Sequence, residues 1–122
     1  MFGNSISDDS IESFLDWLRS DLSNTSKFWK IVYQNRPLYC SHSGQECNSD
    51  AKILREFLED IYVTYGVNLV LTGQLRSYER VAAISKGKIH KDSRGYEYIN
   101  VNYPAYINCG LGGSQEPIKV CK

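Results

Sequence analysis

The stretch LREFLEDIYVTYGVNLVLTG, residues 54–73, carries the strongest structural signal in the chain. Its apolar residues recur at helical spacing, and they are Leu54, Phe57, Leu58, Ile61, Tyr62 and Tyr65. Gly66 follows where a helix C-cap belongs, because glycine readily adopts the left-handed conformation that ends many helices. The next segment, VNLVLT at 67–72, is mostly aliphatic and predicts a strand, which Gly73 ends.

A second strand and a second helix are predicted upstream. Residues 28–33 read FWKIVY, a run rich in aromatic and β-branched residues that predicts a buried strand. Before it, apolar residues at helical spacing predict a helix from residue 9 to about residue 23. Strand, helix and strand in this order predict a right-handed crossover with parallel strands. Ligand sites in such sheets gather at the carboxyl ends of the strands, here QNRP at 34–37 and GQLR at 73–76.

The remainder of the chain has a different character. Three short β-prone runs, 81–84, 96–101 and 105–109, are separated by polar segments, and we expect them to form an antiparallel extension of the sheet. The length predicts one small α/β domain, residues 1–122. Its two helices are expected to cover one face of the sheet, which leaves the other face bare.

Composition and charge limit the partners and the cellular location that we expect for this chain. The chain has 14 basic and 14 acidic residues and no basic run, which argues against nucleic acid and anionic membranes as partners. No segment approaches the ~20 apolar residues that span a bilayer. The first ten residues, MFGNSISDDS, lack the features of a secretory signal, so the expected location is cytoplasmic. A glycosylation sequon at 24–26 and four cysteines would suit a secretory or vacuolar location if the chain is a processed fragment.

Four segments carry a resemblance to a known family. They are WLRSDL at 17–22, IVYQNRPLYCS at 31–41, YGVNLVLTGQLRSYER at 65–80 and YPAYINCGLGGSQE at 103–116. In this order they resemble the last third of the catalytic domain of the purple acid phosphatases, which are calcineurin-like metallophosphoesterases. The resemblance implies a truncated metallophosphoesterase-like domain, part of an α/β sandwich. It also implies a chemistry in which two metal ions, held by Asp, Asn, Tyr and His side chains, direct a hydroxide at phosphorus.

The positions that would bind metal in this family are changed. Asn35, Gln74 and Arg76 stand where the resemblance places three histidines. An amide oxygen is a weaker ligand than an imidazole nitrogen, and a guanidinium is a permanent cation with donors only. The family's earlier ligand segments, of the types D-x-G, G-D-x-x-Y and G-N-H, have no counterpart. The resemblance therefore implies a domain with no metal, no cofactor and no catalytic residue.

Other matched residues are expected to shape the strand ends rather than to react. They are Arg36, Pro37, Tyr39, Gly73, Tyr78, Glu79 and Arg80. Arg76 itself has two interpretations. It is either a surface arginine paired with a carboxylate, or an anion-binding group that holds phosphate or sulfate by bidentate hydrogen bonds, a role that phosphate titration of Arg76→Ala would test.

The cysteines and a glycine-rich segment are further candidates. Cys40 and Cys47 flank a six-residue loop where the family also carries a cysteine pair, and they are expected to form a disulfide if oxidised. Cys109 and Cys121 are more isolated, and the absence of C-x-x-C spacing argues against a zinc site. The segment GLGGS at 110–114 follows a predicted strand but precedes no helix, which argues against a phosphate-binding loop.

A chain that keeps the family's scaffold residues but replaces its metal-binding histidines is predicted to be a pseudoenzyme. We expect a non-catalytic phosphatase-like domain, a structural or interaction component of a large multiprotein assembly, with a protein partner over the bare sheet face. Two alternatives from other classes stay open. One is the C-terminal piece of a split or processed metal-dependent acid phosphatase, and the other is an anion-binding regulatory module that uses Arg76.

Overall fold

The computed structural model describes residues 8–90, 93–94, 97–98, 102–113 and 115. The helices are α1 (Asp8–Asn24) and α2 (Ala51–Thr64), and a π-helical turn (Glu46–Asp50) precedes α2. The strands are β1 (Ile31–Gln34), β2 (Leu69–Thr72), β3 (Tyr78–Val81), β4 (Ile84–Ser85), β5 (Lys88–Ile89), β6 (Ser93–Arg94), β7 (Glu97–Tyr98) and β8 (Ala105–Cys109). Neither helix is long and apolar enough to cross a membrane.

Four of the strands form one mixed sheet in the order β1-β2-β8-β3. The pairs β1–β2 and β2–β8 are parallel, and β3 runs antiparallel to β8. The helix α2 connects β1 to its parallel neighbour β2, which is the predicted crossover unit. The predicted fold class, a parallel βαβ unit with two helices and an antiparallel addition, is therefore confirmed. Two small hairpins, β4–β5 and β6–β7, lie apart from this sheet.

The end of α2 explains why β2 begins where it does. Gly66 has a φ of 68°, the left-handed conformation that the sequence predicts at this position. The N–H of Gly66 donates to the carbonyl of Val63 at 3.2 Å, and the N–H of Val67 donates to the carbonyl of Tyr62 at 2.9 Å. These two bonds form a Schellman motif, which satisfies carbonyls at the end of the helix and directs the chain into the sheet.

Both helices pack on the same face of the sheet. Their buried apolar side chains belong to one core cluster with those of the strands, and its members include Leu15, Leu18, Leu22, Leu58, Ile61, Tyr62, Val70 and Tyr106. The spacing of the three leucines of α1 places them on one side of that helix, as the periodicity predicts. The core therefore fills the space between the helices and a single face of the sheet.

Three strand predictions need correction. The strand predicted at 28–33 lies at Ile31–Gln34, and it is an edge strand rather than a buried one, because among the described residues it pairs only with β2 and has one covered face. The run 105–109 pairs antiparallel with β3, as predicted, but on its other side it pairs parallel with β2, since the 32 residues between β2 and β8, 73–104, let the chain return to the same end of the sheet. The antiparallel strand is Tyr78–Val81, earlier than the predicted run 81–84. The predicted run 96–101 lies mostly outside the described residues.

Candidate functional site

The loops that follow β1 and β2 meet at one edge of the sheet, as expected for the carboxyl ends of parallel strands. Asn35 directly follows β1, and Gln74 and Arg76 lie in the loop after β2. The backbone N–H of Gln74 donates to the carbonyl oxygen of Asn35 at 3.0 Å. Asn35 is exposed, whereas Gln74 and Arg76 are half-buried. The structure thus joins the loops that carry the three changed positions.

These three positions do not fit the two-metal centre that the resemblance implies. They offer two amides and one guanidinium. The Oε1 of Gln74 is buried, and no described residue donates a hydrogen bond to it, but a neutral amide oxygen is a weaker ligand for zinc or iron than imidazole. Arg76, two residues further along, adds a permanent positive charge that disfavours a dication. Within the described part of the chain, no three His, Cys, Asp or Glu side chains are grouped as metal ligands.

The glycine-rich segment after β8 supports the loop after β2. A Cβ atom at Gly110 would lie 2.0 Å from the carbonyl oxygen of Leu75 and 2.4 Å from that of Gly73. The N–H of Gly110 also donates to the carbonyl of Ser77 at 3.4 Å. Because only glycine permits this approach, Gly110 has a packing role in the structure. Anion binding at Arg76, in the same loop, stays a prediction.

A buried polar network connects the strand ends. Glu79 accepts hydrogen bonds from the backbone N–H of Ser41 at 2.9 and 3.2 Å, one to each carboxylate oxygen. Asn108 is fully buried in β8, and its Nδ2 donates to Glu79 at 3.2 Å and to the carbonyl of Tyr39 at 3.1 Å. The hydroxyl of Thr72 donates to Oδ1 of Asn108. Sequence reasoning missed Asn108, although an amide inside the apolar strand AYINC is a signal for a buried hydrogen-bonding role.

A second network joins α2 to the β4–β5 hairpin. The hydroxyl of Tyr39 donates to Oε1 of Glu59 at 2.5 Å, and the same carboxylate oxygen accepts from the N–H of Lys86 at 2.9 Å. The N–H of Gly87 donates to the Tyr39 hydroxyl at 3.1 Å. Burial and then the hydrogen bond to Glu59 raise the pKa of Tyr39 to about 12. Sequence reasoning missed Glu59 because one buried glutamate on a helix leaves no periodic signal.

Side chains on α2 and on the turn before it hold the loop after β1 in place. Arg36 forms an ion pair with Asp50, with 2.8 Å between Nη1 and Oδ2. The Nε2 of Gln34 donates to the carbonyl of Arg36 at 2.6 Å, and the hydroxyl of Tyr62 donates to Oε1 of Gln34 at 2.6 Å. Pro37, which follows, is buried. Arg36 and Pro37, two of the predicted scaffold residues, thus lie in a loop that is held by Asp50 and Gln34, and their role as scaffold residues stays a prediction.

The structure joins Cys40 and Cys47 by a disulfide, with 5.4 Å between their Cα atoms. The loop that it closes contains Ser41, which is held by Glu79 of β3. In the same loop, Nδ1 of His42 accepts a local hydrogen bond. The disulfide therefore restrains the segment that β3 contacts.

The remaining predicted residues lie at or near the surface. Gly73, Tyr78 and Arg80 are exposed. Tyr78 lies directly opposite Cys109 across the β3–β8 pair, and Cys109 is an exposed cysteine outside the disulfide. Cys121 lies outside the described residues. Neither Tyr78 nor Arg80 faces the helices, because both alternate along β3 with the inward-facing Glu79.

The sheet, its two helices and the strand-end loops define a partial metallophosphoesterase-type α/β domain. The structure resembles a purple acid phosphatase from yellow lupin (Lupinus luteus) seeds, with a TM-score of 0.68 and 23% identity over 86% of this chain and 20% of that chain. In sequence, the chain is 33% identical over 113 residues to acid phosphatase type 7 from Homo sapiens, and 26% identical over 124 residues to purple acid phosphatase 15 from Arabidopsis thaliana. No protein-family model matches it. The chain is therefore a relative of the purple acid phosphatases.

The match covers most of this chain but a minor part of its relatives. The two alignments span 82% and 98% of this chain, and 26% and 21% of the human and Arabidopsis proteins. The chain thus spans about a quarter of the length of the human relative and about a fifth of that of the Arabidopsis one.

Proposed function

We propose that the chain is a non-catalytic, phosphatase-like interaction component of a larger assembly, in which a protein partner covers the bare face of its four-stranded sheet. The observation that carries this proposal is the contrast between the two faces of that sheet. On the helix face, Val70 and Tyr106 are 0% and 1% exposed. On the opposite face, Ile31, Tyr33 and Tyr78 are 55%, 86% and 61% exposed.

The bare face is formed by the side chains that alternate with the buried ones along the four strands. Its members are Ile31, Tyr33, Leu69, Leu71, Tyr78, Arg80, Ala105, Ile107 and Cys109. Nearly all are apolar, and burial of apolar surface contributes about 25 cal/mol per Å². A contiguous apolar patch of this kind is typical of an interaction surface.

The chemistry of the strand-end loops supports a non-catalytic role. Asn35 and Gln74 offer neutral amides, and Arg76 offers a cation, where hydrolysis would need metal-binding imidazoles. The networks around Glu79 and Asn108 instead hold the loops to the sheet. These contacts support an architectural rather than a catalytic role for Glu79 and Asn108.

A second candidate function is supported by the length of the match. Since the chain spans about a quarter of the human relative, it suits a piece of an acid phosphatase whose other piece supplies metal ligands. In that case, a complex isolated with the chain should contain bound metal and hydrolyse p-nitrophenyl phosphate. Metal-dependent turnover that copurifies with the chain would contradict the non-catalytic proposal.

The test of the first proposal is gentle isolation of the tagged chain from its source, followed by mass spectrometry of the proteins that co-elute. The variant Tyr33→Ser/Leu71→Ser removes apolar area from the bare face. Phe57→Ser is the matched control, because Phe57 is 41% exposed on α2, away from that face. We expect a defined set of proteins with the wild type and the control, and its loss with the double variant. The same set with all three chains would refute the proposal.

A further inference from the structure

The C-terminal end of α1 carries an asparagine in a modification motif. Asn24, Thr25 and Ser26 form the pattern N-x-S/T, and no other asparagine of the chain is followed two residues later by serine or threonine. This pattern is the acceptor for N-linked oligosaccharides, and the hydroxyl at its third position is part of what the transferase recognises. Because such a glycan is bulky and hydrophilic, its asparagine must lie at the surface of the folded chain.

Asn24 meets this requirement. It is the last residue of α1, its side chain is exposed, and the residues that follow, 25–30, are neither helix nor strand. Ser26, which carries the hydroxyl of the motif, is also exposed. The Nδ2 of Asn24 donates a hydrogen bond to Oγ of Ser20 at 3.3 Å, at the surface. An amide nitrogen has two hydrogens, so one can stay bonded to Ser20 while a sugar replaces the other.

The turn after α1 is held by residues on either side of the motif. Leu22 is buried in the core. The Nζ of Lys30 donates to the carbonyls of Leu22 at 3.0 Å and Tyr65 at 2.7 Å, and the N–H of Lys30 donates to Oδ1 of Asn68 at 2.8 Å. A sugar on Asn24 breaks none of these bonds, so the fold can accept it.

The position of α1 also suits a glycan. Its buried leucines pack on the helix face of the sheet, in the core cluster. A glycan at the end of α1 is therefore attached on the helix side, and it leaves the bare face of the sheet to a protein partner.

The disulfide between Cys40 and Cys47 is an independent observation about the compartment. Disulfides form and persist in secretory and extracellular environments, and they are rare in the cytosol. N-linked glycans are added along the same secretory route. The disulfide and the motif lie in different segments of the chain, and both point to this route.

We infer that Asn24 carries an N-linked glycan, which the chain acquires in an oxidising secretory compartment. The co-reactant is an oligosaccharide on a lipid pyrophosphate. A bond forms between Nδ2 of Asn24 and the anomeric carbon of the oligosaccharide, and the bond between that carbon and the pyrophosphate oxygen breaks. Nδ2 loses one proton, and the lipid pyrophosphate leaves. This inference goes beyond the proposed function and does not rest on it, and it selects the secretory location over the cytoplasmic one.

The test uses the tagged chain isolated from its source. A glycosidase that converts a glycosylated asparagine into aspartate is applied in heavy-oxygen water, and the peptides are sequenced by mass spectrometry. We expect heavy-oxygen aspartate at residue 24 in most of the chain, and a loss of mass of the intact chain on treatment. Ser26→Ala keeps Asn24 but removes the hydroxyl of the motif, and it should abolish the modification. Ser23→Ala is the matched control, because Ser23 is exposed and lies outside the motif, and it should leave the modification unchanged.

Three results would overturn the inference. The first is an unmodified Asn24 in the wild-type chain, whether Cys40 and Cys47 are oxidised or reduced. The second is a modification that persists in Ser26→Ala. The third is heavy oxygen that enters residue 24 without the glycosidase, which would assign the change to deamidation. If any of these is found while Tyr33→Ser/Leu71→Ser still releases the co-eluting proteins, the inference is wrong and the proposed function stands.

Discussion

Tyr39 shows how a residue matched to a catalytic family serves structure in this chain. Its hydroxyl lies between the carboxylate of Glu59 on α2 and the N–H of Gly87 in the hairpin turn. The guanidinium of Arg55 lies 4.8 Å from the centre of its ring. One side chain therefore joins the loop after β1, the helix α2 and the β4–β5 hairpin.

We expect Tyr39→Phe to destabilise the fold by about 1–3 kcal/mol, because the buried carboxylate of Glu59 loses its side-chain donor. Urea unfolding at pH 8 measures this change. Tyr33→Phe is the control, since Tyr33 is 86% exposed, and it should change the midpoint little. An unchanged midpoint for Tyr39→Phe would contradict the structural role.

Alkaline pH should destabilise the protein through the same tyrosine. Burial and the hydrogen bond to Glu59 raise the pKa of Tyr39, and burial raises that of Tyr62, each to about 12 from an ordinary value of 10.0. Between pH 10 and pH 12, these tyrosines lose their protons in the unfolded chain but keep them in the folded chain. The free energy of unfolding is therefore highest below pH 10 and falls as the pH rises towards 12. Unfolding measured from pH 9 to 12 should show this fall, with a weaker slope in Tyr39→Phe.

At the scale of the element, the helix α2 and the strands β2 and β8 were predictable, but the parallel pairing of β8 with β2 was not. The periodicity of 54–65 and the glycine at 66 are local signals, and the structure confirms both. The direction of β8 relative to the sheet depends on its two neighbours, β2 and β3, and neither of them is the strand that precedes β8 in sequence. No local pattern in AYINC encodes that choice.

The contact between the glycine-rich segment and the loop after β2 gives a prediction at this scale. In Gly110→Ala, the new Cβ would overlap the carbonyl of Leu75, so the loop must move, and we expect a loss of about 1–3 kcal/mol in stability. Gly112→Ala is the matched control, because nothing lies within 4 Å of its Cβ position. Urea unfolding of both variants measures the difference. Equal midpoints would show that the contact is unimportant.

For the whole molecule, the main feature is a sheet with one covered and one bare face. The isolated chain should self-associate through that face, since its exposed apolar side chains include Ile31, Tyr33 and Leu71. Sedimentation velocity over a concentration series is the measurement. Tyr33→Ser/Leu71→Ser should shift the distribution towards monomer, and Phe57→Ser should not. A wild-type chain that stays monomeric at all concentrations would contradict the need for a partner.

The sequence by itself determined the helices, the parallel crossover and the family resemblance, because periodicity, capping and motif spacing are local. It also showed which side chains stand at the family's metal positions. The tertiary structure alone decided the parallel pairing of β8, the buried roles of Glu59 and Asn108, and the position of β1 at the end of the sheet. These features arise from contacts between segments far apart in the chain. Burial and pairing there depend on which neighbours the fold supplies, and no single segment carries that information.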